Sequence, residues 1–128
     1  MATVPDSRDV SLTIPAKPDY LVLARLALAA VCRLTPLSPE EVADLKLAVT
    51  EAAADFVDEQ AADDEEARVS FAFRLEPSRL ILVLEGTQAE VPAVEQELGR
   101  AIIDATVDEC DFAPGRTRLV KRLQPGSV

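Results

Sequence analysis

The stretch Ser38-Pro-Glu-Glu-Val-Ala-Asp-Leu-Lys-Leu-Ala-Val-Thr-Glu-Ala-Ala-Ala-Asp-Phe-Val-Asp58 carries the best local signal in the chain. Ser38 suits a helix cap, Pro39 the first helical position, and Glu41 closes a capping box. Val42, Leu45, Val49, Ala52 or Ala53, and Phe56 recur at intervals of three and four, which predicts an amphipathic helix from Ser38 to about Asp58. Glu51 and Asp55 then emerge one turn apart on the flank of the buried stripe. Like charges at that spacing repel by roughly 0.2–0.5 kcal/mol. The pair therefore reads either as plain surface acidity or as a seat of chemistry, with Asp55 holding Mg²⁺ and Glu51 orienting or deprotonating a hydroxyl nucleophile.

Upstream, Val10, Leu12 and Ile14 alternate with Ser11 and Thr13 as a half-buried strand that Pro15 and Pro18 end. Leu21, Ala24, Leu28, Ala29 and Cys32 follow at helical spacing, with Arg25 as the one charge in a broad apolar helix. Downstream, the acidic run Asp58 to Glu66 reads as a solvated loop, and Val69, Phe71, Phe73 and Leu75 alternate as a second strand. Pro77-Ser78 turns the chain into Leu80-Ile-Leu-Val-Leu84, apolar on both faces. Such a run predicts a central strand with helices on one side and another cover, such as a subunit partner, on the other. Val94, Leu98, Ile102, Ala105 and Val107 return to helical spacing, and Pro114-Gly115 leads into a last strand, Arg116 to Leu123. The order β-α-α-β-β-α-β predicts an α+β fold, a two-layer α/β sandwich whose sheet is covered on one face by helices.

With 128 residues, 48% of them hydrophobic, the chain suffices for one core, expected over 9–123, with flexible tails at 1–8 and 124–128. A net charge of −10 argues against a direct nucleic-acid binder, since phosphate binding needs Lys and Arg. One local exception is the cluster Arg116, Arg118, Lys121 and Arg122, which reads as a basic stripe. Cys32 and Cys110 lie in stretches that read as apolar helix and are expected as buried free thiols of a reducing compartment. The longest apolar run, Leu26 to Cys32, is far too short to span a bilayer, and no signal-peptide pattern opens the chain, so a cytoplasmic location is expected. The chain has no histidine, which removes Ser-His-Asp and Cys-His catalysis and His-based zinc sites together.

Pro15-Ala-Lys-Pro-Asp-Tyr20, Ala24-Arg-Leu26 and Glu41-Val-Ala-Asp-Leu-Lys-Leu-Ala-Val-Thr-Glu-Ala52 together resemble the anti-sigma factor kinases of the RsbW and SpoIIAB type, over nearly the whole chain. Those proteins belong to the GHKL superfamily (Bergerat or HATPase_c fold), with a mixed, mostly antiparallel sheet. The family's E-x-x-x-N motif supplies a catalytic glutamate and an asparagine for Mg²⁺-ATP. The resemblance therefore implies Glu51 as base and Asp55 at the metal and cofactor position. It also implies a sigma factor and an anti-anti-sigma (STAS) protein as partners, Arg25 as the partner-binding arginine of the first helix, and a homodimer.

Departures from the pattern bear on ATP. Asp55 replaces an amide with a second negative charge near the phosphates. The family's D-x-G-x-G, whose aspartate reads adenine, is reduced to Leu84-Glu-Gly-Thr87, leaving Glu85 and Gly86 as the nearest substitutes. The phosphate-cradling G-x-G at a helix start is reduced to Glu97-Leu-Gly-Arg100, with Gly99 remaining. About a dozen residues join Glu85 to Glu97, too few for the usual lid, while Gly115-Arg-Thr117 resembles the G-x-T of the last strand and makes Thr117 a phosphate-side hydroxyl. The resemblance thus implies an anti-sigma regulator of transcription and stress response whose binding of ATP and Mg²⁺ is weakened or lost. The alternatives are an active ATP-dependent serine/threonine kinase acting on a STAS-type antagonist, or another signalling module on the same fold.

Overall fold

The computed structural model describes residues 8–57 and 67–124. Five strands, three α-helices and two short 3₁₀ turns follow in the order β1 (Arg8–Pro15), a 3₁₀ turn (Pro18–Tyr20), α1 (Leu21–Cys32), α2 (Pro39–Ala53), a 3₁₀ turn (Ala54–Phe56), β2 (Arg68–Leu75), β3 (Arg79–Gly86), α3 (Ala93–Thr106), β4 (Glu109–Ala113) and β5 (Arg116–Arg122). The expected acidic loop, Asp58 to Glu66, lies outside the described residues, as do 1–7 and 125–128 of the expected tails, while Arg8 already belongs to β1.

The sheet runs β1-β2-β3-β5-β4, and all four pairings among the described residues are antiparallel, where a mixed sheet was expected. Partners directly opposite share a face. Ile14, Val69, Phe71, Phe73, Leu80, Leu82, Leu84 and Leu119 thus form one apolar face, and they join Leu28 of α1, Leu45 and Val49 of α2 and Ile103 of α3 in a single core. Each large side chain buried there contributes roughly 1.5–3 kcal/mol of transfer free energy. Ile81 and Val120 are register partners on the other face; they are buried as well, but outside that core. β3 is therefore central and two-faced, as its apolar run predicts.

Strand β4 is a departure from the sequence reading, and it moves Cys110 from an expected helix into a strand. Its physical basis is a hairpin: Pro114-Gly115 turns the chain with Gly115 at φ 73, a left-handed conformation that glycine tolerates without cost, and Phe112 then pairs with Thr117. Alternation also takes Lys121 out of the expected basic stripe. Arg116, Arg118 and Arg122 fall on the face away from the core, whereas Lys121 lies opposite Leu80 on the helix side, 3.7 Å from Glu41 and 3.8 Å from Asp108. None of the described helices is long and apolar enough to cross a membrane.

Candidate functional site

The α2 capping box is complete: Ser38 Oγ accepts from the Glu41 N–H at 3.1 Å and Glu41 Oε1 from the Ser38 N–H at 3.1 Å. At its other end α2 stops at Ala53, short of the expected Asp58, and tightens into the 3₁₀ turn Ala54–Phe56. Tightening the last turn rotates each residue further about the axis. Glu51 stays half-buried on α2, while Asp55 turns inward to 6% exposure. The two carboxylates therefore stand in different environments. Burial pushes the Asp55 carboxyl above its usual range, and the nearby Arg100 charge and Gln96 side chain, both on α3, pull the other way.

α3 forms the facing wall. It starts at Ala93 with Pro92 at the cap position and no side-chain cap, and it runs on helically through Gly99. Gly99 thus sits inside the helix rather than in a turn at its start. The glycine lets α3 approach α2 closely, since a Cβ there would stand 3.2 Å from Glu51 Oε2. Between the walls lies a cleft of about 260 Å³ lined by Glu51, Asp55, Glu95, Gln96, Gly99 and Arg100, among others. The six residues Thr87 to Pro92 that lead into α3 are tied to the α2 side. Ala89 N–H donates to the Asp55 carbonyl at 2.7 Å, and the Gln88 side chain bridges from that carbonyl (3.4 Å) to the Gly115 N–H (3.3 Å).

The other expected residues do not converge on this cleft. Glu85 pairs with Ser70 and Arg116, on the sheet face away from the helices. With Gly86 as the glycine of a D-x-G spacing, the aspartate position falls instead at Leu84, buried and directly opposite Thr117. Thr117 itself is 2% exposed, between Leu84 and Phe112. Gly86 is a packing glycine: a Cβ there would meet the Arg68 carbonyl at 3.0 Å and Phe56 at 3.4 Å. Arg25 stands apart on α1, partly buried, with Nη1 donating to Thr50 Oγ1 at 3.4 Å.

Gln96 and Arg100 are the residues that sequence reasoning missed. Arg100 is the only Lys or Arg between Arg79 and Arg116, a lone cation on an acidic helix with Gln96 one turn before it. That is the same signal that singles out Arg25. Among the described residues no group of three or more His, Cys, Asp or Glu side chains is arranged to hold a metal ion.

Residues 14–122 match the model of the histidine kinase-like ATPase domain. The chain is 30% identical over 102 residues to the serine-protein kinase RsbW of Bacillus subtilis, a match that covers 78% of this chain and 64% of the relative. It is 33% identical over 101 residues to the serine-protein kinase RsbW of Listeria monocytogenes, covering 77% of this chain and 63% of the relative. The matches thus take in somewhat less than two thirds of these relatives' length. Among solved structures, the crystal structure of RsbU and RsbW domains from Mycobacterium tuberculosis superposes with a TM-score of 0.63 at 17% identity, covering 92% of this chain and 33% of that one.

Proposed function

The chain belongs to the histidine kinase-like ATPase domain family, and from that premise we propose that it is an anti-sigma regulatory factor that acts by binding protein partners, its nucleotide site having degenerated. The observation that carries this reading is the helical path of α3 through Gly99. A phosphate chain is held by N–H groups turned toward it at a helix start or in a glycine-rich nest. Inside α3 those groups are spent on intrahelical bonds. Mg²⁺-ATP fits the remaining residues poorly. The adenine-reading position is Leu84, the cleft holds about 260 Å³, and its walls carry Glu51, Asp55 and Glu95 where phosphates would bring more negative charge.

Partner binding is assigned to α1. No acidic residue occurs from Tyr20 to Pro39, in a chain of net charge −10. Tyr20, Val22, Leu23 and Leu26 are exposed apolar or amphipathic side chains there, at 41–61%, with Arg25 among them. A contiguous apolar patch with a fixed cation suits a protein interface better than water. The partners in this reading are a sigma factor and an anti-anti-sigma protein of STAS type, met in the cytoplasm. Self-association would use the sheet face away from the helices, on which Val83 is half-buried, and sedimentation equilibrium of Val83→Glu against the parent chain tests it.

A second reading, an active serine kinase, is favoured by Glu51, a carboxylate that lines the cleft. Pull-down of sigma factors with the parent chain and with Arg25→Glu separates the functions. Capture lost in the variant supports the anti-sigma reading. An unchanged partner profile removes Arg25 from it, and transfer of phosphate to a STAS protein would establish the kinase.

A further inference from the structure

Asp55 and Thr117 are the two polar side chains buried among the described residues, and only Asp55 is a potential charge. A buried carboxylate is stable only beside a compensating group. Asn at this position, as in the family pattern, would bring no such demand. The facing wall brings an opposite charge near Asp55 without a direct ion pair, since Arg100 and Gln96, one helical turn apart, line the same cleft. The Arg100 guanidinium lies over the Phe112 ring, 4.5 Å from the centroid, on the β4 strand that follows α3. Its Nε is buried and has no hydrogen-bond partner among the described residues. Gly99, next to it, allows the close approach of α3 to Glu51.

We propose that Arg100 is the resident cation of the Glu51–Asp55 pair, closing the α2–α3 cleft from within where a divalent ion would otherwise be needed. Asp55, in the 3₁₀ turn after α2, and Arg100, on α3, then act as one charge-balanced unit across the cleft. Phe112 orients the guanidinium plane, which an ammonium on a flexible stem would not match. The proposal rests on the reading that the nucleotide site is lost, and it gives that loss a structural agent.

The test uses the full chain with MgCl₂ alone as probe and thermal unfolding as readout. Four forms are compared: the parent, Arg100→Ala, Asp55→Asn, and the double variant Asp55→Asn/Arg100→Ala. Arg100→Ala should lower Tm by roughly 5 °C, as expected when a buried carboxyl loses the nearest opposite charge. Millimolar Mg²⁺ should recover a good part of that loss, while leaving the parent unmoved. The double variant should regain most of the loss without metal and should not respond to Mg²⁺. Additive Tm changes, or an Arg100→Ala chain as stable as the parent, would overturn the proposal. If Arg100→Ala does not fold, Arg100→Lys takes its place, with a smaller loss and the same rescue by Asp55→Asn. A parent chain that binds Mg²⁺-ATP tightly would instead overturn the underlying reading. Tight binding that Arg100→Ala abolishes would make Arg100 a phosphate ligand and end the proposal as well.

Discussion

The two walls of the α2–α3 cleft are built from different kinds of information. α2 begins with a complete capping box and a proline at its first turn, and it buries Leu45, Ala48, Val49, Ala52 and Ala53 in an unbroken stripe. α3 has no side-chain cap, buries only Gly99 and Ile103, and leaves Val94 and Leu98 largely in solvent. The first wall is held by local signals and the core together. The second meets the first where Gly99 approaches Glu51, and it sends only Ile103 into the core. On the reading proposed above, the wall that carries the core keeps its form while the phosphate-side wall is rebuilt as helix.

If that contrast is right, core truncation should separate the walls most strongly. Leu45→Ala on α2 should cost about 3 kcal/mol, whereas Leu98→Ala on α3, 63% exposed, should stay within about 0.5 kcal/mol. Urea unfolding of both variants measures this, and equal losses would break the comparison.

The cap of α2 comes next in size. Ser38→Ala should cost about 1 kcal/mol at neutral pH by the same assay. A hydrogen bond from the Ser38 backbone N–H holds the Glu41 carboxyl below its usual range. A lowered folded-state pKa gives stability that is present above the unfolded value and lost as pH falls through the folded one. The disadvantage of Glu41→Ala should therefore shrink on acidification below about pH 4.5, near the ordinary glutamate range. An unchanged disadvantage at pH 3 would remove the carboxylate from the cap.

Gly99→Ala probes the other wall. Alanine gains up to about 1 kcal/mol of helix propensity over glycine, and the atom it would crowd at 3.2 Å is the end of a half-exposed, flexible Glu51 side chain. A net gain near 0.5 kcal/mol is expected, because the carboxylate can swing aside. A loss above 1 kcal/mol would mean that the close approach itself holds α3.

The smallest effect is chemical. Burial pushes the Cys32 thiol, beneath the α1–α2 pair, up to about 11, while the half-exposed Cys110 on β4 is raised less far and stays reachable. A thiol reagent at pH 8 should label Cys110 well before Cys32 in the native chain. The reverse order would mean that the α1–α2 side opens more readily than the α3–β4 side.

Much of this was legible from the residues. Period, alternation and apolar runs of five or more residues, with the Ser38 cap and the Pro114-Gly115 turn, located the three helices and four of the five strands among the described residues. β4 escaped because Glu109-Cys-Asp-Phe-Ala offers two inward positions, Cys110 and Phe112, too few to display a period. Of the site, Glu51 and Asp55 were found from spacing, but the burial of Asp55 depends on a 3₁₀ turn set by Phe56 packing beneath Gly86. Glu85 was misjudged because a strand's face is decided by register, which only the pairing with Ser70 and Arg116 reveals. Arg100 became meaningful once α3 was seen to face α2, a long-range contact that no local pattern encodes.

The central claim, that this member of the family works without nucleotide, is tested most directly by calorimetric titration of the full chain with ATP and MgCl₂. The account predicts no saturable heat up to millimolar ATP, with sigma-factor capture unaffected by the nucleotide. Saturable micromolar binding that Glu51→Ala or Asp55→Ala abolishes would contradict it.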